Sequence, residues 1–253
     1  MKKFNFKEIF EEEIKKIGLG WDIKGIIDSN KRIYVIPNDT KLISKVLELI
    51  TTPMVLDIAK KYKIKVIISD RQTVYPVFTL ILSDGTYLAV DIKSTYRKNS
   101  THVAGFTLGS YTGYLRIPTK NIMFSYDKYK EHWVLGFIYT RGKENDSDIV
   151  PLSKIDEINP VIEDIEIIVQ EKYKIASTRP GSGNTANIGS ITEIETLRKG
   201  NGPFTDLGHE IFEDYWRNFL SRKIAIDRRI DQPYNNFEKY LIWKKAQKRL
   251  SPK

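Results

Sequence analysis

The residues with the clearest capacity for chemistry are Asp91 and Lys93, which lie two apart in the stretch VDIK. Residues two apart in a β-strand face the same way, so both side chains project from one face, roughly 7 Å apart. A carboxylate can hold Mg²⁺, and a neighbouring lysine can orient a water molecule or neutralise developing negative charge. The pair suits phosphodiester hydrolysis, although Asp-x-Lys alone is a weak motif because such triplets are common on solvated strand faces.

A β-hairpin is predicted to position this pair. Two β-rich runs flank Asp84-Gly85 in the stretch FTLILSDGTYLAVDIK, and an Asp-Gly pair tolerates the positive φ of a tight turn. Upstream, a helix is predicted to begin at an N-cap on Asp39 or Thr40 and to end before Pro53. Glu48 lies on or near its buried face, which is marked by apolar residues at helical spacing: Leu42, Val46, Leu49 and Ile50.

The remaining pattern predicts one α/β domain with a central mixed sheet flanked by helices. A Gly/Ser/Asn-rich loop is expected in RPGSGNTANIGS. Further helices are predicted over residues 3–17, DLGHEIFEDYWRNFLSRK and YNNFEKYLIWKKAQKRL, and further strands in GWDIKGIIDSNKRIYVIP (around a turn at 28–30), HWVLGFIYTR and IEIIVQEKYKIAST.

Composition narrows the class of protein. The 253 residues carry a net charge of +9, and residues 217–253 hold 11 basic and 3 acidic residues, so nearly all the excess, +8, lies at the C-terminal end. That distribution favours a polyanionic partner, with a solvated basic helix as the alternative.

With no cysteine there is no disulfide framework and no thiolate metal site. His102, His132 and His209 are scattered without metal-ligand spacing, so they are expected to be structural or surface residues. No apolar run is long enough for a membrane span and no signal peptide is evident, so a cytoplasmic location is expected.

Several stretches together resemble the EcoRV family of type II restriction endonucleases, within the PD-(D/E)XK nuclease superfamily, over nearly the whole chain. They are NDTKLISKVLELI, YPVFTL, VDIKSTY, FTLGSYTGYLR, TKNI, HWVLGFIYTR, GSGNTANIGSI, DYWRN and YNN. The resemblance implies a PD-(D/E)XK restriction endonuclease-like fold over residues 1–253. It would comprise an N-terminal dimerisation and helical part and a DNA-binding part with a catalytic hairpin at about 68–96 and a recognition loop at about 180–190.

The resemblance also implies an activity. A homodimer would clamp double-stranded DNA and cut the palindrome GATATC to blunt ends with Mg²⁺, each subunit reading one half-site. Asp91, Lys93 and Glu48 would be catalytic, and the metal would be held by Asp91, Glu48 and the backbone carbonyl of Ile92.

The same resemblance assigns residues to DNA contact. Glycines let the backbone approach base edges in the major groove, and asparagine can pair with adenine. At Ala186 the family has threonine, and Thr73 and Val74 also depart from the family. The implied contacts comprise a major-groove loop (Gly181, Ser182, Gly183, Asn184, Thr185, Ala186), a minor-groove loop (Gln72, Thr73), phosphate contacts (Thr40, Lys41, Ser94, Thr95, Tyr96, Lys120), and weaker basic candidates (Arg222, Lys223, Arg228, Arg229).

One departure lies at the centre of the chemistry. The family motif Pro-Asp is Pro76-Val77 here, so its first metal-binding acid is replaced by valine, which has no lone pair to offer a cation. Either the chain cleaves DNA very poorly or an acid from elsewhere fills in. Asp84 and Asp70 are expected to lie in the wrong places to do so. A sequence-specific DNA-binding protein without cleavage activity is the alternative function; a basic α/β protein unrelated to DNA is a remote third.

Overall fold

The computed structural model describes residues 4–18, 21–71, 73–146, 148–181 and 186–250. Its helices follow the predicted amphipathic segments, with two short helices, α3 and α4, that were not predicted. They are α1 (Phe6–Ile17), α2 (Thr40–Lys61), α3 (Lys172–Ile175), α4 (Ile194–Lys199), α5 (His209–Asn218), α6 (Arg222–Arg228) and α7 (Phe237–Leu250).

The strands form three sheets, of which the largest is mixed and central, as predicted. Its order is β3 (Lys65–Ile68), β4 (Phe78–Ile81), β5 (Tyr87–Tyr96), β7 (Tyr129–Arg141) and β9 (Ile162–Glu171). A second sheet joins β1 (Gly25–Ile27), β2 (Arg32–Val35) and β8 (Ile149–Pro151), and a third joins β10 (Ala176–Pro180), β11 (Asn187–Ser190) and β6 (Thr107–Ser110).

The two faces of the central sheet are covered by separate cores. Alternate residues of β5 point to opposite faces, so Leu88, Val90 and Ile92 join the core formed with α1 and α2. Ala89 belongs to the other core, which contains many aromatic side chains from the C-terminal helices. The strand that carries Asp91 and Lys93 is therefore fixed from both sides.

The predicted hairpin is confirmed, with β4 and β5 antiparallel and Gly85 at φ +83° in the turn. Strand β5 extends to Tyr96 and pairs in parallel with β7 along its whole length. Beyond Val90 its other edge is free of β4, whose ladder with β5 ends at the pair Phe78 and Val90. At this open edge the Asp91 segment has no ladder partner on the β4 side, although Asp91 and Ile92 are themselves buried.

Helix α2 differs from its prediction, because it continues through Pro53 to Lys61. The proline leaves the Leu49 carbonyl without its helical partner, but Leu49 is 70% exposed, so water can satisfy that carbonyl. Burial of Met54, Val55 and Ile58 then holds the second half against the sheet. Leu49 was wrongly placed on the buried face, which is instead formed by Ile43 and Leu47 in the first half.

The stretch IEIIVQEKYKIAST is not continuous strand. One turn of helix, α3, separates β9 from β10 and redirects the chain from the central sheet into the third sheet. The C-terminal prediction of one helix over DLGHEIFEDYWRNFLSRK is also divided, since α5 ends at Asn218 and α6 begins at Arg222. Among the described residues, no helix has the length and apolarity required to cross a bilayer.

Candidate active site

Asp91 and Lys93 lie side by side on β5, as their spacing predicts. Lys93 Nζ is 2.8 Å from Asp91 Oδ2, and the Asp91 side chain is buried. A buried carboxylate needs a partner, and the ammonium group supplies one. The pair therefore places a lone-pair donor and a positive charge at one point of the strand, as metal-assisted hydrolysis requires.

Position 77 lies just before β4, at the end of its ladder with β5. The antiparallel pairs of β4 and β5 run from Ile81 with Tyr87 to Phe78 with Val90, and the ladder does not extend to Val77 and Asp91. Val77 lines a cleft and packs against the core formed with α1 and α2, whereas strand alternation turns Asp91 to the same face as Ala89. An acid at position 77 would therefore add a carboxylate to that cleft, where valine presents only methyl groups.

A cleft beside this edge contains several of the predicted residues. Glu48 lines it, and its Oε1 is 2.6 Å from Lys45 Nζ on the same helix. Asp70 also lines this cleft, although the sequence placed it away from the site, because Ser69 N donates to Val77 O and brings the two segments together. The other lining residues are Thr40, Lys41, Ser44, Lys45, Ser69, Arg71, Val74, Val77 and Ser94.

The oxygen donors suit Mg²⁺ in kind but are fewer than the family motif supplies. Asp91 and Glu48 offer carboxylates, which are the hard ligands that Mg²⁺ prefers. Ile92 lies in the part of β5 beyond the ladder with β4. Val77 offers no donor atom. Glu48 lines the cleft and Asp91 does not, so the donors fit magnesium by their chemistry.

Strand alternation separates the predicted phosphate contacts. Ser94 lines the cleft with Thr40 and Lys41, both exposed at the start of α2. Thr95 points to the other face and is 4% exposed, with its Oγ1 lacking a hydrogen-bond partner. A phosphate contact by Thr95 would require this hydroxyl to be uncovered.

The other predicted contacts on the described chain are accessible. Tyr96 is half-buried beneath the Arg141 guanidinium, which lies 3.7 Å from its ring centroid. Thr73 and Lys120 are exposed. The basic candidates Arg222, Lys223, Arg228 and Arg229 are exposed in and just after α6.

The base of the predicted recognition loop is held by backbone hydrogen bonds. Gly181 N donates to Asn187 O at 2.8 Å, and Tyr111 N donates to Ala186 O at 3.0 Å. These bonds fix both ends of the segment on the sheet of β6, β10 and β11. Ser182, Gly183, Asn184 and Thr185, like Gln72 of the minor-groove loop, lie outside the described residues.

A buried lysine near Asp91 was not anticipated from the sequence. Lys172 is 2% exposed, its Nζ donates to Tyr114 Oη at 3.1 Å, and it lies 3.8 Å from the centroid of the Tyr75 ring. Burial lowers the pKa of Lys172 to about 7, an effect that the Asp91 charge opposes. It adds a second cationic group to the surroundings of Asp91, from a segment that the sequence assigned to strand.

The histidines also depart from expectation. His132 and His209 are not scattered, since their rings lie 6.0 Å apart at an interplanar angle of 20°. Glu213 lies beside both of them. His102 is exposed, and its Nδ1 is 2.9 Å from the Thr101 hydroxyl oxygen. The spacing of four between His209 and Glu213 was the only sequence signal, because such residues share a helix face.

Comparison with known proteins gives consistent results. The family model for restriction endonuclease EcoRV matches residues 18–245. The type II restriction enzyme EcoRV of Escherichia coli is 36% identical over 229 residues, which covers 88% of this chain and 91% of that protein. A solved structure of the NlaIV restriction endonuclease aligns with 95% of this chain and 96% of its own, at a TM-score of 0.40 and 10% identity, a likeness that supports no further argument.

Proposed function

The chain belongs to the EcoRV family of type II restriction endonucleases, and from that premise we propose that it recognises GATATC and cuts it to blunt ends with Mg²⁺. DNA is thus its partner and phosphodiester hydrolysis its reaction class. The observation that supports the proposed chemistry most directly is the contact of Lys93 with buried Asp91 at the open edge of β5. A DNA substrate also favours the cytoplasm as the place of action.

Asp91 and Glu48, with the carbonyl of Ile92, would hold the metal. When bound, Mg²⁺ lowers the pKa of a coordinated water molecule and offsets charge on the phosphate. The Lys93 ammonium, held by Asp91, orients water or neutralises negative charge that develops at the phosphate. Because Glu48 is paired with Lys45, that ion pair would open when Glu48 turns to a cation.

Valine at position 77 reduces this activity. Val77, which lines the cleft with Glu48, contributes no charge and no ligand, so we expect very slow cleavage with specific binding retained. Among the described carboxylates, Asp70 is best placed to substitute for the missing ligand, because it lines the same cleft as Val77 and Glu48.

Recognition is assigned to the loop between β10 and β11, whose ends are anchored at Gly181 and Ala186. Asn184 would read adenine, and the glycines would allow close approach to the bases. Thr73 and Gln72 would approach the minor groove. DNA phosphates would be contacted by Thr40, Lys41, Ser94, Tyr96 and Lys120. These contacts would fix the position of the protein along the DNA and would not set its sequence preference.

A homodimer is supported by the small sheet of β1, β2 and β8. Ile26, Tyr34 and Ile149 form a row across its three strands in paired register, and all three are exposed. An apolar row on a paired sheet is typical of a surface that another protein covers. A second copy fits best, because two-fold symmetry matches a palindromic target.

Cleavage of a GATATC duplex with Mg²⁺, comparing the chain with Val77→Asp at one salt concentration, tests the proposal. We expect the aspartate variant to cut at least about 100-fold faster, since a ligand to the metal is restored. If both cut equally well, another acid replaces position 77, and loss of cutting in Asp70→Asn would identify it. If neither cuts at any site, the proposed chemistry is wrong.

The second candidate is a DNA-binding protein without cleavage activity, which Val77 favours. This function predicts that both the chain and its Val77→Asp variant bind DNA without cutting it. Affinity for GATATC that falls steeply with salt, in a chain inert even as Val77→Asp, would establish it. The contact of Lys93 with Asp91 argues against it, because pure binding has no need of that pair.

A further inference from the structure

Three side chains with metal-binding atoms converge between β7 and α5. His132 comes from β7, while His209 and Glu213 lie four residues apart on α5 and therefore share one face of the helix. One ligand atom from each residue lies within 4.8 Å of the others. None of the three belongs to the set assigned to magnesium.

One atom in this cluster is buried without any polar partner. His132 Nε2 has no hydrogen bond, and His132 is only 4% exposed. The equally buried His209 Nε2 and Glu213 Oε1 contact each other as an ion pair at 3.0 Å, and Arg217 lies 3.5 Å from the other Glu213 oxygen. Buried polar atoms without partners are rare, so His132 Nε2 beside this pair indicates a ligand that satisfies it.

His132 is oriented for coordination through Nε2. Its Nδ1 lies 2.8 Å from the hydroxyl oxygen of Tyr75, and the ring stacks on Tyr126 at a centroid distance of 4.4 Å. Metal-binding histidines commonly donate their other N–H to such a partner, which fixes the tautomer and the ring plane. In the tautomer in which Nδ1–H donates to the Tyr75 hydroxyl oxygen, Nε2 presents its lone pair to the cluster.

We propose that His132, His209 and Glu213 bind Zn²⁺, with water as a fourth ligand. Two imidazoles and a carboxylate form a donor set typical of zinc and unlike the all-oxygen set that magnesium prefers. Tetrahedral zinc requires ligand atoms roughly 3.3 Å apart, so the cluster must contract slightly. His209 can supply that movement because its side chain is 36% exposed, which also gives the ion access from solvent.

The charges near the cluster are mixed. Lys172 opposes a positive charge at His132, whereas Glu171 and Glu210 add negative potential at His209. A bound ion would join β7 of the central sheet to α5 of the C-terminal layer. It would also immobilise Tyr75, two residues before Val77, through the His132 hydrogen bond. This inference does not depend on the proposed DNA cleavage.

The test uses the full chain freed of metal with EDTA and then titrated with Zn²⁺ alone. Calorimetry should give one tight site, and at a Zn²⁺ concentration about a hundred times the Kd the melting temperature should rise by about 5–10 °C. His209→Ala and Glu213→Gln should each weaken binding at least about 100-fold, while Tyr75→Phe should weaken it by about 10- to 100-fold. His102→Ala, the exposed histidine, is the matched control and should bind normally.

Two further readouts separate this site from the magnesium site. Asp91→Asn should keep the tight Zn²⁺ site, and Co²⁺ in its place should give the visible bands of a four-coordinate ion, lost in His209→Ala. Circular dichroism of each metal-free variant verifies folding, and either α5 variant suffices if the other does not fold. No stabilisation by Zn²⁺, or equal stabilisation of the wild-type chain and His209→Ala, would overturn the proposal.

Discussion

The apolar side chain of Val77 lies in a cleft that charged residues line. Val77 is half-buried and shares this cleft with Glu48 and Asp70. An acid at this position would add one more like charge to the cleft when no metal is bound. Valine at position 77 is therefore expected to stabilise the metal-free fold.

Val77→Asp is accordingly expected to lower the melting temperature near neutral pH without metal, by about 3–6 °C if repulsion costs about 1–2 kcal/mol. Differential scanning calorimetry measures this directly. Val77→Asn controls for the loss of apolar volume, since it carries no charge, and Mg²⁺ should reduce the gap between the two variants. An unchanged or higher melting temperature for Val77→Asp would contradict the crowding argument.

Lys172 gives the second residue-level prediction. Its folded pKa of about 7 lies below the ordinary value of 10.5, so between these values the unfolded chain binds a proton that the folded chain does not. Stability therefore rises with pH across this window, by at most about 1.4 kcal/mol per pH unit from this group. Lys172→Met should remove that rise. The free energy of unfolding of the variant, relative to the wild-type chain, should therefore be highest near pH 6 and lower near pH 9.

Urea unfolding at pH 6 and pH 9 measures the difference in unfolding free energy between Lys172→Met and the wild-type chain at each pH. Lys154→Met, at an exposed lysine, should show the same difference at both values. If Lys172→Met also shows no dependence on pH, the buried ammonium does not titrate below its ordinary range.

Helix α2 is the element that places Glu48 at the cleft. It is 22 residues long, and its start is fixed by Asp39, whose Oδ1 accepts from Lys41 N and Leu42 N at 2.9 Å each. The cap also fixes the exposed end that carries Thr40 and Lys41. A single carboxylate thus aligns Glu48, the proposed metal ligand, and the proposed phosphate contacts.

Asp39→Ala should therefore lower the free energy of unfolding by about 1 kcal/mol, because two helical N–H groups lose their acceptor. Asp39→Asn keeps an acceptor oxygen and should lose much less. Denaturant titration of both variants tests this. Equal losses in the two would show that the charge of Asp39, and not its capping hydrogen bonds, determines the effect.

At the scale of the molecule, an apolar row on the small sheet is uncovered. Ile26, Tyr34 and Ile149 are 56%, 40% and 52% exposed across it. These residues belong to a different sheet from β5, which carries Asp91 and Lys93.

Tyr34→Lys should weaken the proposed dimer by about 100-fold or more, since like charges brought together across a symmetric interface cost several kcal/mol. Sedimentation velocity over a range of concentrations measures the association. Ile242→Lys, which alters an isoleucine on α7 that is 69% exposed, should leave the dimer intact. A dimer of unchanged stability in Tyr34→Lys would place the interface elsewhere.

Local pattern was sufficient for the fold class, the hairpin, the contact of Asp91 with Lys93 and the Asp39 cap, because each depends on residues close in sequence. The spacing of two in a strand places Asp91 and Lys93 together in any sheet. The family resemblance supplied the activity. The sequence predicted the end of α2 before Pro53, but the helix continues. Burial of residues on both sides of Pro53 outweighs the lost hydrogen bond, and that burial comes from tertiary packing.

Tertiary structure alone decided what surrounds β5, the strand of Asp91 and Lys93. The turn of α3 buries Lys172, and the packing of α5 on β7 brings His209 to His132 across 77 positions of sequence. Asp70 reaches the cleft because β3 pairs with β4. No periodicity encodes such contacts, since they depend on which helix covers which face of a sheet. The sequence by itself determined the elements and the chemistry of one strand; packing determined which charges and ligands meet there.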